Sequence, residues 1–275
     1  MNEPWELPQL LQSFPGREAD VQAWFRCVAR LLLSETTLRV VGDSCQIREV
    51  EFYFYTDSHP DPFAHCAPQQ RCQARWYLHR QGRGYRGGSF KGIDLTFGPP
   101  SAFGGILIRS LSLPDGRFIN GSSLCVDYMM ERTGSRSVAV LDHLIWDESV
   151  FASNPLRLEP MQAPFDAPIW ETARVGLSLR CVERSPEMKA YFARPYRFLN
   201  ATREIKKGRQ QLVVAMHRQG KTKEEILEFL AIQSRTVSAW LSAYEKGLKR
   251  HRAENDQTKL LPTDDLCGLL GMLQS

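Results

Sequence analysis

The chain has 275 residues, 43% of them hydrophobic and 24% charged, with 35 Lys/Arg against 31 Asp/Glu and a formal net charge of +4. That is the composition of a globular protein, long enough for one large domain or two smaller ones, and no apolar run nears the ~18 residues of a membrane span. The opening MNEPWELPQLLQSFPG is acidic and proline-rich, so no signal peptide is expected, and seven cysteines without framework spacing point to reduced thiols in a cytoplasmic, nucleoid-associated or nuclear setting.

Val21, Trp24, Phe25, Val28, Leu31 and Leu32 recur at helical spacing, so residues 20–34 read as an amphipathic helix. TTLRVVG alternates like a strand and turns at Gly42-Asp43. Residues 46–55 form the next strand. Its period of two puts Val50, Phe52 and Phe54 on one face and Glu49, Glu51, Tyr53 and Tyr55 on the other. Pro60, Pro62 and Pro68 make residues 56–72 a loop. ARWYLHR, SFKGIDLTFG and GGILIRSLSL read as short strands between glycine-rich turns, the pattern of a curved antiparallel sheet or small barrel. Residues 122–144 read as helical. Short strands return in 150–185 around FASNPLRLEP and ARVGLSLR, and YFARPYRFLN closes this body.

The remainder changes character. TREIKKGRQQLVVAMHRQG reads as one helix ending at Gly220. Thr222 and Glu225 form a capping box for a second, KEEILEFLAI. Ser234 caps a third, SRTVSAWLSAYEKG, which is expected to stop at Gly247. This order resembles a helix-turn-helix of the resolvase and transposase type. In that arrangement the third helix enters the major groove, with Ser234, Arg235 and Ser238 facing bases and Val237, Trp240 and Leu241 packing inward. Residues 197–252 hold 13 Lys/Arg against 5 acids, a local +8 on a body of −4, which suits a polyanion such as double-stranded DNA; a solvated basic helix face is the alternative. The tail from 253 to 275 is expected to be loosely held, with LCGLLGML able to dock as a short helix.

His59, His65, Cys66, Cys72 and His79 share one window but lack the paired spacing of structural zinc, so neither a metal nor an organic cofactor is expected. There is no P-loop and no G-x-S-x-G elbow. Glu51 stands out among the carboxylates because Tyr53 and Tyr55 share its strand face. A carboxylate walled by aromatic rings is partly desolvated and can serve as a general base. The alternative is an ion pair of Glu49 or Glu51 with Arg48, Arg71 or Arg109 on a sheet edge.

Eight pieces in order, VARLLLS, EVEFY, DPFAH, WYLHRQGRGYRGG, GGILIRSL, NGSSLC, ETARVGL and ARPYRF, resemble the alkyladenine (3-methyladenine) DNA glycosylase family across residues 20–200. The resemblance implies that Glu51 activates the attacking water, with Arg109 beside that water and a phosphate. It implies that Tyr53 and Tyr77 stack on a flipped base that His65 hydrogen-bonds, and that Tyr85 wedges into the vacated stack. Asp94 stands where the family has an asparagine that gates the pocket, and Arg86 and Lys91 would grip DNA. The spacer between Tyr53 and His65 is longer than the family's, and the hairpin is richer in glycine.

The expected architecture is therefore α+β: a curved antiparallel sheet or small barrel with flanking helices over residues 1–200, a helix-turn-helix over 201–252 and a tail over 253–275. The expected activity is that of a monofunctional DNA glycosylase acting as a monomer, on a bulky modified base of viral DNA rather than on simple alkylpurines. A non-catalytic DNA-binding regulator with a degenerate glycosylase body is the alternative, and a nucleosidase acting on free nucleosides is a third reading.

Overall fold

The computed structural model describes residues 5–14, 18–145, 149–178, 186–254 and 265–273. The chain is α+β and divides into two compact units, one of residues 1–60 and 64–169, the other of 61–63 and 170–275.

In the first unit an antiparallel sheet runs in the order β10 (Leu156–Pro160), β1 (Thr36–Val40), β2 (Asp43–Thr56), β8 (Phe103–Ser112), β7 (Ile93–Thr96), β4 (Trp76–Leu78). Short strands β3 (His59–Pro60) and β9 (Phe118–Asn120) add to β2 and β8, and β5 (Arg80–Gln81) pairs with β6 (Gly84–Tyr85) in a separate hairpin. No barrel closes among the described residues. The ends of the path meet through a side chain: the Trp76 indole Nε1 donates to the Leu156 carbonyl at 2.7 Å, where a closed barrel would have a ladder.

The core face of β2 is the expected one, since Val50, Phe52 and Phe54 are all buried. Helix α2 (Glu18–Ser34) covers it with the stripe read from the sequence, and α1 (Leu7–Gln12) precedes it. Phe25 stacks on Phe52 with ring centroids 4.4 Å apart, and Phe97 and Trp24 close over them. Burial of each such ring is worth about 1.5–3 kcal/mol. The helical run expected over 122–144 is broken. Helix α3 (Ser122–Thr133) ends at Gly134, whose φ of +67° makes a left-handed C-cap, and α4 (Val138–Ile145) starts again after it.

The second unit pairs β11 (Trp170–Thr172) with β12 (Arg197–Leu199) and, among its described residues, packs five helices: α5 (Pro186–Ala193), α6 (Arg209–Arg218), α7 (Lys223–Leu230), α8 (Ser234–Glu254) and α9 (Leu266–Leu273). Three expectations are corrected here. ARVGLSLR is not a strand over its described residues 173–178, the strand lying just before it; Leu179 and Arg180 are outside the described residues. The helix expected from Thr202 starts only at Arg209, because Arg197 donates to the carbonyls of Lys207 and Gly208 and fixes the preceding chain as a turn. Helix α8 does not stop at Gly247 but continues to Glu254. A Cβ at Gly247 would lie 2.1 Å from the Gly268 carbonyl, and one at Gly271 2.3 Å from that of Tyr244. These glycines serve a close helix crossing rather than termination. Thr222 and Glu225 do form the capping box: Glu225 N donates to Thr222 Oγ1 and Thr222 N to Glu225 Oε2. LCGLLGML is the buried helix α9, packed with Val214 and Tyr244 in one apolar cluster. Among the described residues no helix is long and apolar enough to cross a membrane.

Candidate active site

Two irregularities in the β2–β8 ladder build the centre of the site. Register shifts fall between Ile47 and Glu49 and between Glu49 and Val50, so Arg48 on one strand and Arg109 on the other are passed over in the pairing. The second shift lets two successive residues, Arg109 and Ser110, reach the face that carries Glu49. Arg109 Nε donates to Glu49 Oε1 at 3.1 Å and its Nη1 to Glu51 Oε2 at 3.2 Å. Ser110 Oγ donates to Glu49 Oε2 at 2.5 Å, and the Tyr53 hydroxyl donates to Glu51 Oε2 at 2.8 Å. Glu51 has no exposed surface, Glu49 is 2% and Arg109 7% exposed, and Tyr53 is half-buried above them. Burial opposes the charge on Arg109, but Glu51 and then Glu49 more than offset this and hold it well above its ordinary range. Two carboxylates around one guanidinium leave the cluster with a formal charge of −1. The ion pair weighed against a catalytic role is thus present, in the middle of the sheet rather than on its edge.

The register then carries this level across the sheet. Glu51 faces Leu107, Leu107 faces Asp94 and Asp94 faces Tyr77. At about 4.8 Å per strand, Asp94 stands roughly 10 Å from Glu51 on the same face. A second cluster forms there. His79 Nε2 and Asp94 Oδ1 are 2.6 Å apart, and Gln70 Nε2 donates to Asp94 Oδ2 at 3.1 Å. Gly105, opposite Tyr53, makes room for that bond, since a Cβ there would come within 2.6 Å of both Asp94 Oδ2 and Gln70 Nε2. The His65 ring lies 4.1 Å from that of His79 and 6.1 Å from that of Tyr77. Cys66, the next residue, has φ +51°, a left-handed turn that swings His65 inward. Burial, then His79, push the His65 pKa down to about 4, so its imidazole is neutral at pH 7. Burial, then Asp94, push the Tyr77 phenol up to about 12.

No family model matches the chain. It is 27% identical over 213 residues to an uncharacterized protein of Acanthamoeba polyphaga mimivirus, a span of 69% of this chain and 91% of that relative.

The structure thus brings Glu51, Tyr53 and Arg109 together, and His65, Tyr77 and Asp94 together. Tyr85 is tied down: its hydroxyl donates to Asp142 Oδ2 at 2.5 Å and accepts from Arg80, whose guanidinium also lies 4.5 Å from its ring centroid. Arg86 follows it in the hairpin, and Lys91 is paired with Asp127 at 2.8 Å. Ser234, Arg235 and Ser238 are exposed on α8, in the second unit. Sequence reasoning missed Gln70, named His79 only in a window set aside as a metal site, and named Glu49 only as half of an ion pair. It also missed Phe90, which is 71% exposed on the turn Gly88–Phe90. That turn is held to α3 by the Ser123 hydroxyl, which donates to Gly88 O at 2.7 Å. The Arg174 and Arg197 of ETARVGL and ARPYRF have buried roles in the second unit. Arg174 donates twice to Asp61, at 2.6 and 3.0 Å, with both side chains fully buried.

Proposed function

We propose that this protein is a monofunctional DNA glycosylase: it extrudes a modified base from double-stranded DNA and hydrolyses its N-glycosidic bond, leaving an abasic site. The observation that carries the reading is the wholly buried Glu51, fixed by Tyr53 and Arg109 on a sheet face that continues to Asp94, Tyr77 and His65. Burying three charges in a sheet centre is costly, and apolar side chains would do the structural work as well, so the arrangement points to chemistry.

In this reading basic side chains grip phosphates without regard to sequence. Extrusion costs a few kcal/mol of stacking, least at a damaged or poorly paired site. Tyr53 and Tyr77 flank the extruded base, and His65, Asp94 and His79 read its edge. Glu51 accepts the proton of an attacking water behind the anomeric carbon. Before that proton moves, the lengthening bond leaves the sugar oxocarbenium-like as the base departs with the bonding electron pair, and the net −1 of Glu49, Glu51 and Arg109 stabilises the developing positive charge. Glu49 so acquires a part, balancing the guanidinium that would otherwise oppose that charge. Tyr85, held by Asp142, fills the gap only after giving up that bond; the exposed Phe90 offers an apolar wedge with no bond to break. A carboxylate at Asp94 accepts hydrogen bonds where an asparagine would also donate, which favours a substrate other than simple alkylpurines, such as a bulky modified base of viral DNA.

Glu51→Gln is the direct test, because it keeps the shape and removes the base. Alkali-labile sites in treated modified DNA should form about 10²–10⁴-fold more slowly; base release at the wild-type rate would end the assignment. A second reading, a non-catalytic DNA-binding regulator, is favoured by the exposed Ser234, Arg235 and Ser238 at the start of α8. It predicts no abasic sites from the wild-type protein on any modified DNA.

A further inference from the structure

The geometry points to a divalent-cation site of the zinc type, held by His65, His79 and Asp94. Each residue offers one ligand atom, and the three atoms lie within 4.8 Å of one another. Two imidazole nitrogens and one carboxylate oxygen, with a fourth position open, make the donor set of zinc sites that keep a place for water or substrate. Donors at 2.0–2.2 Å from a tetrahedral ion stand about 3.3 Å apart. The 2.6 Å edge between His79 Nε2 and Asp94 Oδ1 must therefore open by about 0.7 Å, within reach of small side-chain rotations, and the longer edges must contract.

Three further features fit an ion. Nδ1 of His65 is buried without a hydrogen-bond partner among the described residues, a deficit that a ligand would remove. Asp94 is braced from behind: Gln70 Nε2 holds its Oδ2 at 3.1 Å, and Ala67 N in turn holds Gln70 Oε1 at 3.1 Å, so that Oδ1 stays turned toward His79. Such bracing orients ligands and raises metal affinity. Gly92 makes room for the His79 ring, since a Cβ there would come within 2.5 Å of Nδ1. One neighbour opposes the ion: the positive charge of Arg86 is felt at His65. Its guanidinium lowers affinity through charge, while the Arg86 backbone N–H, which donates to the His79 carbonyl at 2.9 Å, is kept in any side-chain substitution. The inference does not depend on the glycosylase reading, although an ion here and an extruded base would compete for His65 and Asp94.

The test is zinc titration calorimetry on the full chain after chelator treatment, with cobalt absorption spectra to identify the ligands. The expected result is one zinc per chain and tetrahedral cobalt bands without thiolate charge transfer. Affinity should fall by more than about 100-fold in His65→Ala and Asp94→Asn, and about 10–100-fold in Gln70→Ala. It should rise in Arg86→Ala and stay unchanged in Cys66→Ser and Cys72→Ser. Circular dichroism in chelator checks that each variant folds; the Gln70 and Arg86 variants and the wild-type cobalt spectrum still decide the matter should a ligand variant not fold. Absence of stoichiometric zinc in the wild type would overturn the proposal, as would binding that survives His65→Ala and Asp94→Asn, or thiolate bands.

Discussion

Arg109→Met removes the guanidinium that Glu49 and Glu51 share and leaves two carboxylates, 2% and 0% exposed, inside the sheet. At 3.1 and 3.2 Å each pair carries about 5 kcal/mol of attraction for an effective dielectric of 20. Desolvation already offsets much of that in the native protein. Breaking a buried pair from one side typically costs about 3–5 kcal/mol, because the orphaned charge stays behind. At about 2–4 °C per kcal/mol for a unit of this size, the melting temperature should fall by roughly 6–20 °C. The triple variant Arg109→Met, Glu49→Gln, Glu51→Gln should regain most of the loss, since it buries no unpaired charge. Urea and thermal denaturation of the two variants beside the wild type make the comparison. A single variant costing under about 1 kcal/mol, or a triple variant less stable than the single, would refute the mutual dependence of the three charges.

Gly247→Ala should destabilise the second unit by about 1–3 kcal/mol in urea unfolding, because the new methyl group meets the Gly268 backbone at 2.1 Å. Phe90→Ser should leave the melting temperature within about 1–2 °C, given the 71% exposure of the ring; under the proposed glycosylase reading it should slow base release from duplex DNA about tenfold and spare single-stranded substrate. Hydrogen bonding to Arg39, then to Arg157, holds the Glu159 carboxyl below its ordinary value of 4.5. Its stabilising share is present above pH 4.5 and is lost as pH falls through the lowered value, so Glu159→Gln should flatten the acid limb of the stability curve by no more than about 1 kcal/mol at this half-exposed site.

Much of the first unit was legible because its strands alternate cleanly. Val50, Phe52 and Phe54 could only face a core, and the α2 stripe could only cover one. The face that carries the candidate site was legible as types of residue but not as contacts. The pairing of Glu51 with Arg109 depends on where the two register shifts fall, and a bulge leaves no mark in the identity of Arg48 or Arg109. His79 and Gln70 were illegible for a related reason. They join Asp94 through cross-strand and loop placement, not through spacing along the chain. Glycine misled twice, in opposite senses. Gly134, passed over as helix interior, ends α3, whereas Gly247, read as a stop, lies inside α8. A glycine required by φ and one required by a neighbouring backbone look alike in one dimension.

The α8–α9 crossing bears on how the second unit can be dissected. Tyr244, Leu269, Leu270 and Leu273 share one apolar cluster with Val214 of α6, so the basic helices are not a detachable reading head. A fragment cut after Arg252 would bare Tyr244 and Val214 and invite self-association. Loss of DNA affinity in such a fragment would then report misfolding rather than a missing contact. Alanine scanning of the exposed Ser234, Arg235 and Ser238 within the intact chain is the cleaner route to what α8 touches.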